Sequence, residues 1–132
     1  MAELSKNISE YILSVFGEDY LVQNRRHLDR VAKTIIRRNR PPGVAAHLSA
    51  MADYPSLRSM LIKLAMPVLV LSGSDDPLVN GSGASEVAER SGGRHLVVNG
   101  AGHSIPVEAP EWFLKTVSQF LSERWTDMPE AL

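Results

Sequence analysis

Two short loops hold the residues best suited to chemistry: Gly73-Ser74-Asp75-Asp76-Pro77 and Asn99-Gly100-Ala101-Gly102-His103-Ser104. The first offers carboxylates and the second an imidazole. A carboxylate bonded to one ring nitrogen fixes the histidine tautomer, and it stabilises the imidazolium formed when the other nitrogen takes a proton. Such a pair is the acid-and-base half of nucleophilic catalysis. Plainer readings stand beside this one. Aspartate before proline often starts a turn, which makes Asp76 also a candidate cap. His103, taken alone, is a loop histidine in a glycine-rich turn.

For the two loops to cooperate, the elements before them must run side by side. Pro67 to Ser72 is a continuous apolar run opened by proline and closed by Gly73, which predicts a strand buried on both faces of a parallel sheet. A helix over Ala84–Arg90 follows, broken by Gly92-Gly93. Arg94 to Val98 predicts a second strand, stopped by Asn99-Gly100, and helix returns at Pro110 with Trp112, Phe113, Val117, Phe120 and Leu121 at helical spacing. Strand, helix, strand, helix is the pattern of an α/β fold with a short parallel sheet. In open parallel sheets, functional groups gather at the carboxyl ends of the strands, where both loops lie.

The sequence before Pro55 is helical in pattern. Leu4, Ile8, Tyr11, Ile12 and Val15 form one amphipathic stripe, which Gly17 ends. A second helix is expected from Asp19, with Leu21, Leu28, Val31, Ile35 and Ile36 inward, stopping before Pro41-Pro42. Pro42 suits the first turn of a third, burying Val44, Leu48 and Met51. A fourth follows Pro55, with Leu57, Leu61 and Leu64 as its apolar edge.

From Leu64 to Leu121 the chain resembles the C-terminal end of the α/β-hydrolase fold family. The match rests on the strand Pro67 to Leu71, on Gly73-Ser74-Asp75-Asp76, on Gly100-Ala101-Gly102-His103, and on Glu108-Ala109-Pro110-Glu111. Arg40-Pro41-Pro42-Gly43-Val44-Ala45-Ala46-His47-Leu48 is similar to the cap-domain exit of esterases related to the aclacinomycin methylesterases. The resemblance, which extends roughly from Asp19 to Leu121, implies cap-like helices over 1–53 and the C-terminal part of the hydrolase core over 54–125; the tail over 126–132 reads as frayed. The resemblance also implies that Asp76 is the catalytic acid and His103 the general base. Asp75 is the neighbour that one residue of slippage would exchange for Asp76. The implied activity is hydrolysis of an ester or related acyl bond by a Ser-His-Asp mechanism, with a small-molecule ester-like substrate.

The family's nucleophile sits on a Gly-x-Ser-x-Gly turn ahead of the acid. These 132 residues contain no such pattern. Gly83-Ala84-Ser85-Glu86-Val87 comes nearest, but it lacks the second glycine and follows Asp76, so Ser85 reads as a helix N-terminal residue. The early glycine-rich segment that supplies oxyanion-hole amides is also missing. The expectation is therefore a C-terminal half, truncated of its nucleophile. The alternative is a non-catalytic binding or assembly module, because the strand Val68 to Leu71 needs neighbours on both edges. That predicts a homodimer or a complex with a complementary hydrolase half. A serine supplied by a second copy is a third possibility.

Composition excludes several classes. The net charge is -1, so bulk electrostatics do not point to nucleic acid or an anionic membrane. Arg25, Arg26, Arg30, Lys33, Arg37, Arg38 and Arg40 cluster on a solvated helix side, or else form a docking face for an acidic partner. There is no cysteine, hence no disulfide or thiolate metal site. The four histidines are scattered, and no cofactor or metal motif occurs. His27 and His95 read as surface positions, and His47 as surface or core unless it faces a substrate pocket. With no signal peptide or membrane span, the expected location is cytoplasmic.

Overall fold

The computed structural model describes residues 10, 13–38 and 41–125. Six helices and two strands follow one another among them. They are α1 (Glu18–Arg38), α2 (Pro41–Ala52), α3 (Arg58–Leu61), β1 (Leu69–Gly73), α4 (Gly81–Ser91), β2 (Arg94–Val98), α5 (Ile105–Glu108) and α6 (Pro110–Trp125). The architecture is α/β, as the alternation of periods predicts. The stripe residues Leu4, Ile8, Tyr11 and Ile12 and the tail over 126–132 lie outside the described residues.

β1 and β2 are parallel neighbours, with Leu69 opposite Arg94 and Gly73 opposite Val98. That register brings both strands to their carboxyl ends together. The crossover helix α4 is capped at both ends. Asn80 has extended backbone, and its side chain accepts from the Gly83 amide. Gly92 ends the helix in the left-handed region, at φ 64°. The helix begins at Gly81, ahead of the expected Ala84. Ser85 therefore lies in its second turn and is not its N-terminal residue.

The core below the two loops is small. Val98, Ala101 and Ile105 are buried, and Leu71, Ala109, Trp112 and Phe113 pack on them. Ala84 and Ala88 are the buried positions of α4, one turn apart. On α1 the buried residues are Leu28 and Ala32, with Leu21 and Ile36 half-buried.

Several expected core positions face outward. Val31 and Ile35 are exposed, because the contact line of α1 follows the four-residue step through Leu28, Ala32 and Ile36. Val44, Leu48 and Met51 on α2 are exposed, with Leu48 at 59%. No described element covers that face. α3 is a single turn, and Leu57 and Leu64 beside it are exposed while Leu61 is half-buried. Leu121 on α6 is exposed too. β1 is not buried on both faces: Leu69, Val70 and Leu71 are half-buried, and only Ser72 and Gly73 are fully covered. Apolar spacing identifies a face, but its burial depends on what lies opposite.

Candidate active site

The Asp76 loop leaves the end of β1 and the His103 loop leaves the end of β2. Backbone hydrogen bonds join them. The Ser74 amide donates to the Val98 carbonyl (2.9 Å), and the Asp75 amide donates to the Ala101 carbonyl (3.0 Å). Gly73 allows this approach, since a Cβ there would collide with the Ala101 and Gly102 carbonyls.

Asp76 and His103 meet. The His103 Nδ1–H donates to Asp76 Oδ2 at 2.9 Å. Nδ1 carries the proton because an ionised carboxylate can only accept. The other carboxylate oxygen, Oδ1, accepts from the amides of Leu78 (2.8 Å) and Val79 (3.1 Å). Cap and imidazole partner, separate readings of Asp76 in the sequence, are thus both satisfied, one by each oxygen. Asp75 points elsewhere and accepts from the Ser74 hydroxyl at 2.7 Å.

The Asp76 side chain is only 5% exposed, whereas His103 is 46% exposed. Burial by itself would raise the Asp76 carboxyl. The bond from His103, the two turn amides and the attraction of the imidazole outweigh it, so the carboxyl titrates below its ordinary 3.8. An anchored, ionised carboxylate therefore holds a solvent-facing imidazole by one nitrogen. The second nitrogen is left to exchange a proton with whatever occupies the adjoining space. A pocket of about 200 Å³ borders both residues and is lined by apolar Val70, Leu71, Val79 and Val87.

A second carboxylate, Glu108, holds the His103 backbone. It accepts from the amides of Gly17 (2.7 Å), Gly102 (2.9 Å) and Ser104 (3.0 Å). In the sequence Glu108 stands out only as part of Glu108-Ala109-Pro110-Glu111, one of the stretches that carry the family resemblance. Its partner 91 positions away carries no local signal. His95 also departs from the surface reading. It is half-buried, with Ser72 Oγ 2.7 Å from Nε2 and Ser85 Oγ 3.0 Å from Nδ1. His27 and His47 are exposed. Arg25, Arg26, Arg30, Lys33, Arg37 and Arg38 are exposed as well, and Arg40 lies outside the described residues.

Among the described residues, no group of three or more His, Cys, Asp or Glu side chains could hold a metal ion. Among the same residues, no helix is long and apolar enough to cross a membrane.

The profile of the TAP-like protein family, an α/β-hydrolase family, matches residues 46–130, well over half of the chain and including both loops. The chain belongs to this α/β-hydrolase family. Solved structures agree with the assignment. The enol-lactonase from Burkholderia xenovorans LB400 superposes with a TM-score of 0.77 at 25% identity, over 89% of this chain and 45% of that one. A thermophilic esterase from Thermogutta terrifontis, solved with malate bound, gives 0.76 at 26% identity, over 88% and 43%. An N-acyl homoserine lactone degrading enzyme, at 19% identity and a TM-score of 0.71, bears on the fold alone. No curated protein sequence matches. This α/β-hydrolase chain spans less than half the length of the enol-lactonase and the esterase.

Proposed function

We propose that this chain contributes the acid and the base of an α/β-hydrolase that cleaves an ester or related acyl bond. The observation that carries the reading is the 2.9 Å bond from His103 Nδ1 to a buried, doubly anchored Asp76. In the reaction, His103 Nε2 takes the proton of a serine hydroxyl as its oxygen attacks the acyl carbonyl. The imidazolium is held by Asp76 and returns the proton to the departing alkoxide. A lactone is a cyclic ester, so the lactonase and esterase likenesses both support the same acyl chemistry.

The serine and the oxyanion amides come from sequence other than these 132 residues, which hold no Gly-x-Ser-x-Gly turn. The substrate lies between the two loops and cap-like helices within residues 1–53. Fluorophosphonate labelling read by intact mass tests this. The chain alone should give no adduct. Combined with a nucleophile-bearing hydrolase half, it should yield an adduct on that half and turn over a chromogenic ester, and His103→Ala should abolish turnover. A stoichiometric adduct on a serine of this chain would overturn the division of the site. Turnover unchanged in His103→Ala would overturn the role of the base.

A second reading, a binding or assembly module without catalysis, is favoured by the surface. Among the described residues, Leu48, Met51, Tyr54, Ile62 and Met66 are each more than half exposed. Among the described residues β1 has one strand neighbour, β2. An open parallel edge and exposed apolar side chains favour association, with a second copy or with a complementary half-sheet.

A further inference from the structure

We propose that Glu108 is the positioning residue of His103, holding the backbone on both sides of the imidazole so that the ring meets Asp76. The role rests on the reading of His103 as the base, although its geometry does not. Oε2 of Glu108 accepts from the amides of Gly17 and Gly102, and Oε1 accepts from the amide of Ser104. Gly102 and Ser104 flank His103 directly. The remaining amide, that of His103 itself, donates to the Val15 carbonyl at 2.7 Å. Three consecutive amides are therefore fixed, two by one carboxylate and the third by the segment that the same carboxylate ties down through Gly17.

The close approach of the two backbones is what lets one carboxylate reach the amides of Gly17, Gly102 and Ser104. A Cβ on Gly102 would stand 2.5 Å from the Gly17 nitrogen and 2.6 Å from the Phe16 carbonyl carbon. Only hydrogen fits between these strands of chain. Amides converging on a half-buried carboxylate form charge-assisted bonds, stronger than neutral ones and demanding in direction. Asp76 cannot supply this restraint. Both of its oxygens are already engaged, and it touches His103 only through the ring. The two carboxylates thus act on different parts of the histidine. Glu108 sets where the ring is mounted, and Asp76 sets how it is turned.

Glu108→Gln separates the two oxygens of the clamp. The amide oxygen of glutamine can serve Gly17 and Gly102, but its NH₂ then faces the Ser104 amide, donor against donor. The experiment is NMR of the full chain with ¹⁵N-labelled histidines and backbone amides, which needs no turnover. In Glu108→Gln, exchange of the Ser104 amide should rise about tenfold, with Gly17 and Gly102 near the parent. In Glu108→Ala all three should lose protection, and His103 should change from a single Nδ1–H form to a mixture of tautomers, because the ring no longer meets Asp76. A folded Glu108→Ala that keeps the parent's single Nδ1–H form overturns the proposal. If the alanine variant does not fold, an unchanged Ser104 amide in Glu108→Gln overturns it instead. Failure of the catalytic reading looks different: His103→Ala would keep turnover in the complemented enzyme, while the tautomer shift on altering Glu108 would remain.

Discussion

Asp76 shows how one side chain answers two demands. Oδ1 closes the turn through Leu78 and Val79, and Oδ2 holds the His103 ring. Asp76→Asn keeps the shape but can present an NH₂ to Nδ1, favouring the wrong tautomer. In the complemented enzyme kcat should fall about 10⁴-fold, with KM little changed, as steady-state kinetics would read. The same residue makes stability depend on pH. Its folded carboxyl titrates below the unfolded value near 3.8, so its contribution is complete above that value and is lost as pH falls through the folded one. Urea denaturation between roughly pH 2 and 6 should therefore show a loss below about pH 4 that Asp76→Asn flattens. The identity of both residues was legible in the sequence, from glycine-led loops at the ends of two predicted strands. The choice between Asp76 and Asp75 was not a matter of residue type. It depends on which carboxylate the turn aims at β2's loop.

Among the elements, those governed by local rules match their predicted bounds most closely. β2 spans Arg94–Val98 as predicted, and Gly92 ends α4 where two glycines mark a break. The faces of α1 and α2 do not match, because periodicity describes the helix and not its neighbour. Val31 and Ile35 lose the inward position to Ala32, which is wholly buried. Caps and close approaches permit sharper tests. Asn80→Ala removes the acceptor for the Gly83 amide and should cost about 1 kcal/mol in thermal or urea unfolding. Gly102→Ala forces a methyl against the Phe16–Gly17 backbone, and should cost about 1–3 kcal/mol. Gly81→Ala, where a Cβ meets nothing within 4 Å, is the control and should not be destabilising.

At the scale of the molecule, the balance between covered and exposed surface matters most. Leu48, Met51, Tyr54, Met60, Ile62 and Met66 are all more than half exposed, along the stretch leading into β1. Light scattering should give a mass well above 14.5 kDa for the isolated chain, and a clean monomer would count against assembly. Leu48→Ser separates surface from core: at 59% exposure it should change unfolding stability by less than about 0.5 kcal/mol. Its effect, if this face is an interface, should be on the association constant measured by sedimentation. This scale was the least legible from sequence. The parallel pair could be read from strand–helix–strand order, but the clamp by Glu108 joins positions that no window of periodicity spans.

That clamp also bears on the order of folding. The Gly17–Glu108 bond closes a loop of 91 residues, and closure of long loops is deferred until nearer contacts have formed. β1, α4 and β2, which are close in sequence, can assemble first. The imidazole would then be seated among the last events, when the two ends of the fold are drawn together, and during synthesis it could not be seated until the chain had been made beyond α5.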